Sequence, residues 1–212
     1  MKGSDSLDVV YEDNHVLIVN KKNGELTQED SLYDSVVARA KSFIKKRDGK
    51  LGNVYLHAVH RLDKEVSGLV VCAKTSKALS RLMQIFRDKQ CIKIYVAACE
   101  GTVDIIPCEI QTNLGKNHQK ACYDPKGAKA LMKVKAAFHT KNSTYVIVEL
   151  VTGKYHQIRY QLASLGLPII NDFKYGAKKV AIGRGIQLHH AGFIFPHPVT
   201  KEYTRVVSLP RF

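Results

Sequence analysis

Short β-rich runs recur along the whole sequence, while only three stretches carry the 3.6-residue period of an amphipathic helix, and that imbalance narrows the fold. The first runs, residues 9–13 and 15–19, flank an Asp-Asn pair and predict a hairpin that ends at the Asn23-Gly24 turn. Others follow at residues 54–59, 68–73, 92–99, 130–138 and 145–151, and near 187–195 and 202–209. The run 68–73 is apolar without a break, the pattern of a strand buried on both faces. A first helical stripe, in a segment starting at Ser31, comprises Val36, Val37, Ala40, Phe43 and Ile44. Ser76 is the expected N-cap of a second helix with Leu79, Leu82, Met83 and Phe86 on its stripe. A third helix is expected over residues 155–165, with Ile158, Leu162 and Leu165 on its buried edge and Arg159 available on another face. Gly166 stops it and Pro168 follows. Strands and helices do not alternate regularly, so the prediction is an α+β fold: a mixed, largely antiparallel central sheet flanked by helices. No repeat, low-complexity tract or linker interrupts the chain, and residues 1–212 are expected to form a single domain.

Charge bears on the partner. The chain carries 33 Lys+Arg against 19 Asp+Glu, a formal net charge of +14, which favours a polyanion such as nucleic acid. Residues 115–129, with Lys116, Lys120, Lys126 and Lys129, read as an exposed basic loop, either a solvated connector or an arm lying on phosphates. The five cysteines are widely spaced with no C-x-x-C pair; Cys72 and Cys99 lie in apolar runs and are expected to be buried, and neither a disulfide framework nor a zinc site is expected. There is no apolar leader, long apolar run or Arg/Ser-rich amphipathic start, so no membrane association is expected and the cytoplasm is the expected location.

The segment His60-Arg61-Leu62-Asp63-Lys64-Glu65-Val66-Ser67-Gly68-Leu69 packs unusual charge between two apolar strands. An Asp flanked by Arg61 and Lys64 is suited to stay ionised, as a nucleophile or electrostatic stabiliser must. On local composition alone an ordinary surface ion-pair loop fits better, because structural ion pairs are common. Five segments taken together alter that balance. This one resembles the HRLDxxTSGL motif of the RluA-type RNA pseudouridine synthases. Lys93-Ile94-Tyr95-Val96-Ala97 resembles the family's K-x-Y-x-A strand. Thr152-Gly153-Lys154-Tyr155-His156-Gln157-Ile158-Arg159 resembles TGRxHQIR. Leu188-His189-His190 with Phe195-Pro196-His197-Pro198 resembles LHA…FPHP, and Tyr11-Glu12-Asp13 with Val19-Asn20-Lys21 resembles YEDxxxxVVNKP. The five occur in the family's order and span nearly the whole chain. Val66 stands where the family usually has Thr, Lys154 where it has Arg, and Lys21-Lys22-Asn23-Gly24 replaces K-P-x-G. Lys154 keeps a charge without a bidentate fork, which weakens any phosphate contact there. An S4-type RNA-binding module, present in many relatives, is not expected.

The resemblance implies an isomerase that needs no cofactor and no metal, because nothing is oxidised and no group enters or leaves. It makes Asp63 the catalytic residue, as nucleophile at C1′ or as the base that starts glycal formation, with Arg159 its candidate ion-pair partner. It implies that Tyr95 stacks on the uracil or helps remove the C5 proton, and that Leu188 shapes the pocket. Arg61 and Lys154 are candidate contacts to the nucleotide and its phosphate. His60, His156 and His189 look like scaffold positions. The implied partner is structured RNA, a ribosomal or transfer RNA stem-loop, bound by a monomer. Three rivals are an inactive RNA-binding protein of the same fold, an unrelated hydrolase with an Asp nucleophile, and a basic structural protein. The first predicts damage to Asp63, Arg159 or Tyr95, the second needs acidic metal ligands near Asp63, and the third explains none of the ordered motifs.

Overall fold

Asp13 makes the first turn: its Oδ1 accepts the backbone N–H groups of His15 and Val16, both at 2.7 Å. The computed structural model describes residues 7–28, 35–178 and 185–212, so the expected beginning of the first helix at Ser31 lies outside the described residues. Contacts divide the chain into two units, residues 1–91 with 193–209, and residues 92–192 with 210–212.

In the first unit β1 (Val9–Glu12) and β2 (Val16–Lys21) form the expected hairpin, and β2 pairs antiparallel with β4 (Ser67–Ala73). Every residue of β4 is buried, as its unbroken apolar run predicts. Val16, Ile18, Leu69, Val71 and Ala73 pack with Ala78, Leu82 and Ile85 of α2 (Ser76–Arg87) and with Phe193 and Phe195. The helix α1 (Val36–Arg47) is capped by the Ser35 hydroxyl and buries Val36, Val37, Ala40 and Ile44. The last strand of the unit, β11 (Tyr203–Val207), pairs with β10 (Leu188–Pro196), whose residues from Phe193 onward belong here.

Three local expectations are corrected. Phe43 and Met83 are exposed, the former under the Arg47 guanidinium at 5.3 Å and the latter 50% accessible; the buried edge of α2 runs instead through Ala78, Leu82 and Ile85. The α2 cap is Thr75, whose hydroxyl accepts the Ala78 N–H at 3.1 Å, because Thr75 has the extended backbone a cap requires and Ser76 is already helical. The strand expected over 54–59 shrinks to β3 (His57–Ala58), which pairs with Ala73 and Cys72. Antiparallel pairing upstream of His57 would need β4 to continue past Ala73, where the chain already turns into the α2 cap.

An ion-pair cluster ties this unit's elements together. Glu12 meets Arg47 at 2.6 and 2.9 Å and Lys74 at 2.7 Å. The Arg47 hydrogen bonds outweigh partial burial and, with Lys74, hold the Glu12 carboxyl at about 2, below its ordinary 4.5. The unfolded chain therefore takes up this proton first as pH falls: the stabilisation is complete above 4.5 and drains away toward about 2. Glu12→Gln should flatten the acid limb of thermal stability in that window; an unchanged limb in a pH series of melting curves would refute the assignment.

The second unit is a sheet in the order β5 (Ile92–Glu100), β9 (Ser143–Leu150), β8 (Ala128–His139), β6 (Glu109–Asn117) and β7 (Lys120–Tyr123), with residues 188–192 of β10 beside β5. Its helix, α3 (Gln157–Ser164), buries Ile158 and Leu162, while Leu165 is only half-buried. Arg159 is 5% accessible, so it is not on an open face as expected. Gln161, fully buried, donates to the carbonyls of Ile110 and Ala130 and so fixes α3 to the sheet.

Residues 115–129 form no loop: β6 and β7 make a hairpin there, and β8 starts at Ala128. Lys116 and Lys120 face solvent while Leu114 and Ala121 are buried, a short alternation hidden by the lysines. Gly127 is needed where the chain doubles back, since a Cβ there would lie 2.5 Å from the Leu114 carbonyl. All strand pairings with an assigned register are antiparallel, and with three α-helices among the described residues the protein has the expected α+β fold.

Candidate active site

Of the residues singled out by sequence, Asp63 and Arg61 lie in the first unit and Tyr95, Lys154, Arg159 and Leu188 in the second. Asp63 sits partly buried at the start of a tight turn, its carbonyl accepting the Val66 N–H at 3.0 Å. The segment 21–27 grips this turn from both sides. The Thr27 hydroxyl accepts the Leu62 N–H at 3.1 Å and donates to the Leu62 carbonyl at 3.0 Å. The Lys64 carbonyl takes the Gly24 N–H at 2.8 Å, and the Glu65 carbonyl takes the Asn23 side-chain amide at 2.8 Å. Gly24 can do this because its φ is +84°. Val66, the departure from the family's Thr, is 3% accessible and anchors the turn by burial. Arg61 is exposed. His60 accepts the Val71 N–H through Nε2 and stacks on Phe86, as a scaffold residue should.

Beneath the turn lies Lys21, 1% accessible, whose ammonium donates to the carbonyls of Lys22, Glu25 and Lys64 at 3.0, 2.8 and 3.1 Å. Burial pushes it down to about 8, against the attraction of Glu25, Glu65 and Asp63. Its positive charge therefore acts on Asp63 from inside the protein. Lys21→Met should cost about 3 kcal/mol, because buried carbonyls lose their donor; a loss under about 1 kcal/mol in denaturant unfolding would count against this role.

In the second unit Arg159 forms a bidentate fork with Asp172, Nε and Nη2 each 2.7 Å from a carboxylate oxygen. Asp172 is 1% accessible. The third arm, Nη1, meets His156 Nε2 at 2.9 Å, and the Tyr175 ring lies 5.1 Å from the guanidinium carbon. A guanidinium only donates, so Nε2 is the acceptor and the ring proton is on Nδ1, which faces the Tyr175 hydroxyl at 2.9 Å. That oxygen also accepts the Ala121 N–H at 2.6 Å. Burial first, with Asp172 nearby, pushes the Tyr175 phenol up to about 12, so it stays neutral.

The loop before α3 is held by Gln157, whose Oε1 accepts the Lys154 N–H at 3.0 Å and the Thr152 hydroxyl at 2.8 Å. The Lys154 side chain projects into solvent. Tyr95 is 6% accessible and stacks on His190 at 4.5 Å between centroids, and Leu188, 3% accessible, begins β10. Sequence reasoning did not single out Lys21, Asp172 or Tyr175 as site residues. The available signal was a polar Asn-Asp-Phe-Lys-Tyr-Gly segment directly after the apolar Ile169-Ile170.

A family model described as RNA pseudouridylate synthase matches residues 15–164. A protein of Pasteurella multocida named dual-specificity RNA pseudouridine synthase RluA is 31% identical over 216 residues, covering 97% of this chain and 94% of that one. The Buchnera aphidicola ribosomal large subunit pseudouridine synthase C is 31% identical over 207 residues, 92% of this chain and 64% of that one. Human RNA Pseudouridylate Synthase Domain Containing 4 superposes with a TM-score of 0.79 at 20% identity, over 96% of this chain and 88% of that one, a likeness of fold.

Proposed function

Because this chain belongs to the RluA-type RNA pseudouridine synthases, we propose that it isomerises specific uridines in ribosomal or transfer RNA, with Asp63 as the catalytic carboxylate. The observation that carries this reading is the Asp63 turn, whose backbone on both sides is held by Thr27, Gly24, Asn23 and Lys21. A reacting carboxylate gains from being fixed before substrate arrives, since no reorganisation is then needed at the barrier.

The reaction breaks the N1–C1′ bond, turns the uracil and joins C5 to C1′; N1 gains a proton and C5 loses one, so atoms balance without a co-reactant. Asp63 acts at C1′ as nucleophile, or as the base that starts glycal formation. Tyr95 stacks on the base, and its hydroxyl serves the C5 proton. Leu188 gives the pocket an apolar wall, and Arg159 supplies positive charge. Arg61 and Lys154, both exposed, take phosphate. The target uridine must leave its stack, at a cost of about a few kcal/mol that is least in a loop. Basic side chains, including Lys116 and Lys120 on the β6–β7 hairpin, offset that cost through phosphate contacts. The two units act as one catalytic domain, in a cytoplasmic monomer. Among the described residues no helix is long and apolar enough to cross a membrane.

Pseudouridine mapping of total RNA from cells lacking the protein, complemented with wild type or Asp63→Asn, tests this. One or a few uridines should lose modification and regain it only with wild type. Equal restoration by both forms refutes the role of Asp63, and no change at any site favours an RNA-binding protein without activity.

A further inference from the structure

The Arg159 guanidinium is the end of a hydrogen-bonded chain that begins on the β6–β7 hairpin. From the Ala121 N–H it runs to the Tyr175 oxygen, from there to His156 Nδ1, and from His156 Nε2 to Arg159 Nη1, with lengths of 2.6, 2.9 and 2.9 Å. Asp172 fills the other two arms of the guanidinium. His156 holds its ring here at a backbone cost: its φ is +49°, left-handed for a residue with a side chain, and at the N-cap of α3 its ring makes no cap bond. The ring is used for Arg159 and Tyr175 instead. The hairpin has further ties to the same place. The Tyr155 hydroxyl and the Lys174 ammonium both donate to the Gln119 carbonyl, at 3.1 and 3.2 Å. Tyr155 stacks on His156 at 3.9 Å between centroids, and the Lys116 ammonium lies 4.9 Å from the Tyr155 ring centre.

We propose that His156 and Tyr175 are positioning residues that set the Arg159 guanidinium and couple its placement to the β6–β7 hairpin. The functional half of this inference rests on the reading of Arg159 as part of the active site. His156 is neutral with its proton on Nδ1, since a second proton on Nε2 would face the guanidinium. Tyr175 contributes two acceptor contacts through one oxygen, so Phe at this position removes the link and keeps the ring under Arg159. Hairpin residues that meet phosphate, Lys116 and Lys120, are then one strand away from a bond that reaches Arg159. RNA lying on the hairpin favours the ordered chain, and the ordered chain favours the placed guanidinium.

The test uses the full chain and bulk ribosomal plus transfer RNA labelled with [5-³H]uridine, made in cells lacking the protein; loss of the C5 hydrogen releases tritium. Tyr175→Phe should lower the rate at saturating RNA by about tenfold or more while the half-saturating RNA concentration stays within about twofold. His156→Asn, which tolerates the left-handed backbone but is too short for both contacts, should do the same. A purely structural role would lower the melting temperature and leave the saturated rate of the folded fraction unchanged, and that result overturns the proposal. The placement of Arg159 has its own readout: its guanidinium N–H resonances should be sharp in wild type and broadened by exchange in Tyr175→Phe. Unchanged resonances overturn the positioning claim whatever the activity. If Asp63→Asn releases tritium like wild type, the catalytic reading fails, while broadened Arg159 resonances would still uphold the positioning claim.

Discussion

Asp63→Asn should lower tritium release from labelled RNA by at least about 10³-fold, roughly 4 kcal/mol of transition-state stabilisation. Asn is nearly isosteric, and the turn is held by backbone groups of Leu62, Lys64 and Glu65 together with the Val66–Asp63 bond. None of these bonds involves the carboxylate, so the turn keeps its backbone ties and the variant should fold. RNA affinity should be equal or slightly tighter, because removing one negative charge from a chain of net charge +14 does not weaken phosphate contacts. That combination separates chemistry from binding and from folding. A loss below about tenfold at saturating RNA would remove Asp63 from the reaction, and a loss of rate accompanied by a loss of affinity would make it a binding residue.

Asp172→Ala should destabilise the protein by about 3–5 kcal/mol, since it removes a bidentate carboxylate from a buried guanidinium. Both partners are nearly inaccessible, 6% and 1% for the two side chains, and the fork is bidentate at 2.7 Å. For a chain of this size such a loss lowers the melting temperature by roughly 10 °C. The double variant Arg159→Met, Asp172→Leu removes both charges and should be less destabilised than Asp172→Ala, because the desolvation cost disappears with the pair. It should also be inactive. A single-variant loss under about 1 kcal/mol would mean that the pair contributes little to this unit's stability, and a double variant no better than the single one would place the cost in losing the pair itself and not in an orphaned buried charge.

The fold was largely legible along the chain because period-2 and period-3.6 patterns are local. The Val9–Glu12 and Val16–Lys21 hairpin, the wholly buried Ser67–Ala73 strand and the positions of the three helices all follow from side chains that choose a face within a few residues. Phase was less legible. Phe43 and Met83 lie at the margins of their stripes, and which margin is covered depends on what packs there. The β6–β7 hairpin escaped because lysines dominate its composition, while its inward face shows only Leu114 and Ala121. The site divides the same way. Motif order made Asp63, Tyr95, Arg159, Lys154, Arg61 and Leu188 candidates.

By itself, then, the sequence determined the strand-rich α+β class, the positive field and the ordered motifs, since each depends on residue type and on spacings of a few positions. Tertiary structure alone decided that Lys21 lies under the Asp63 turn and that Arg159 meets Asp172 and His156. A lysine 43 positions before the carbonyl it caps and an aspartate 13 positions after its arginine leave no period to read. A charge's burial and its partners are set by which backbone and side-chain groups converge around it once the chain has folded.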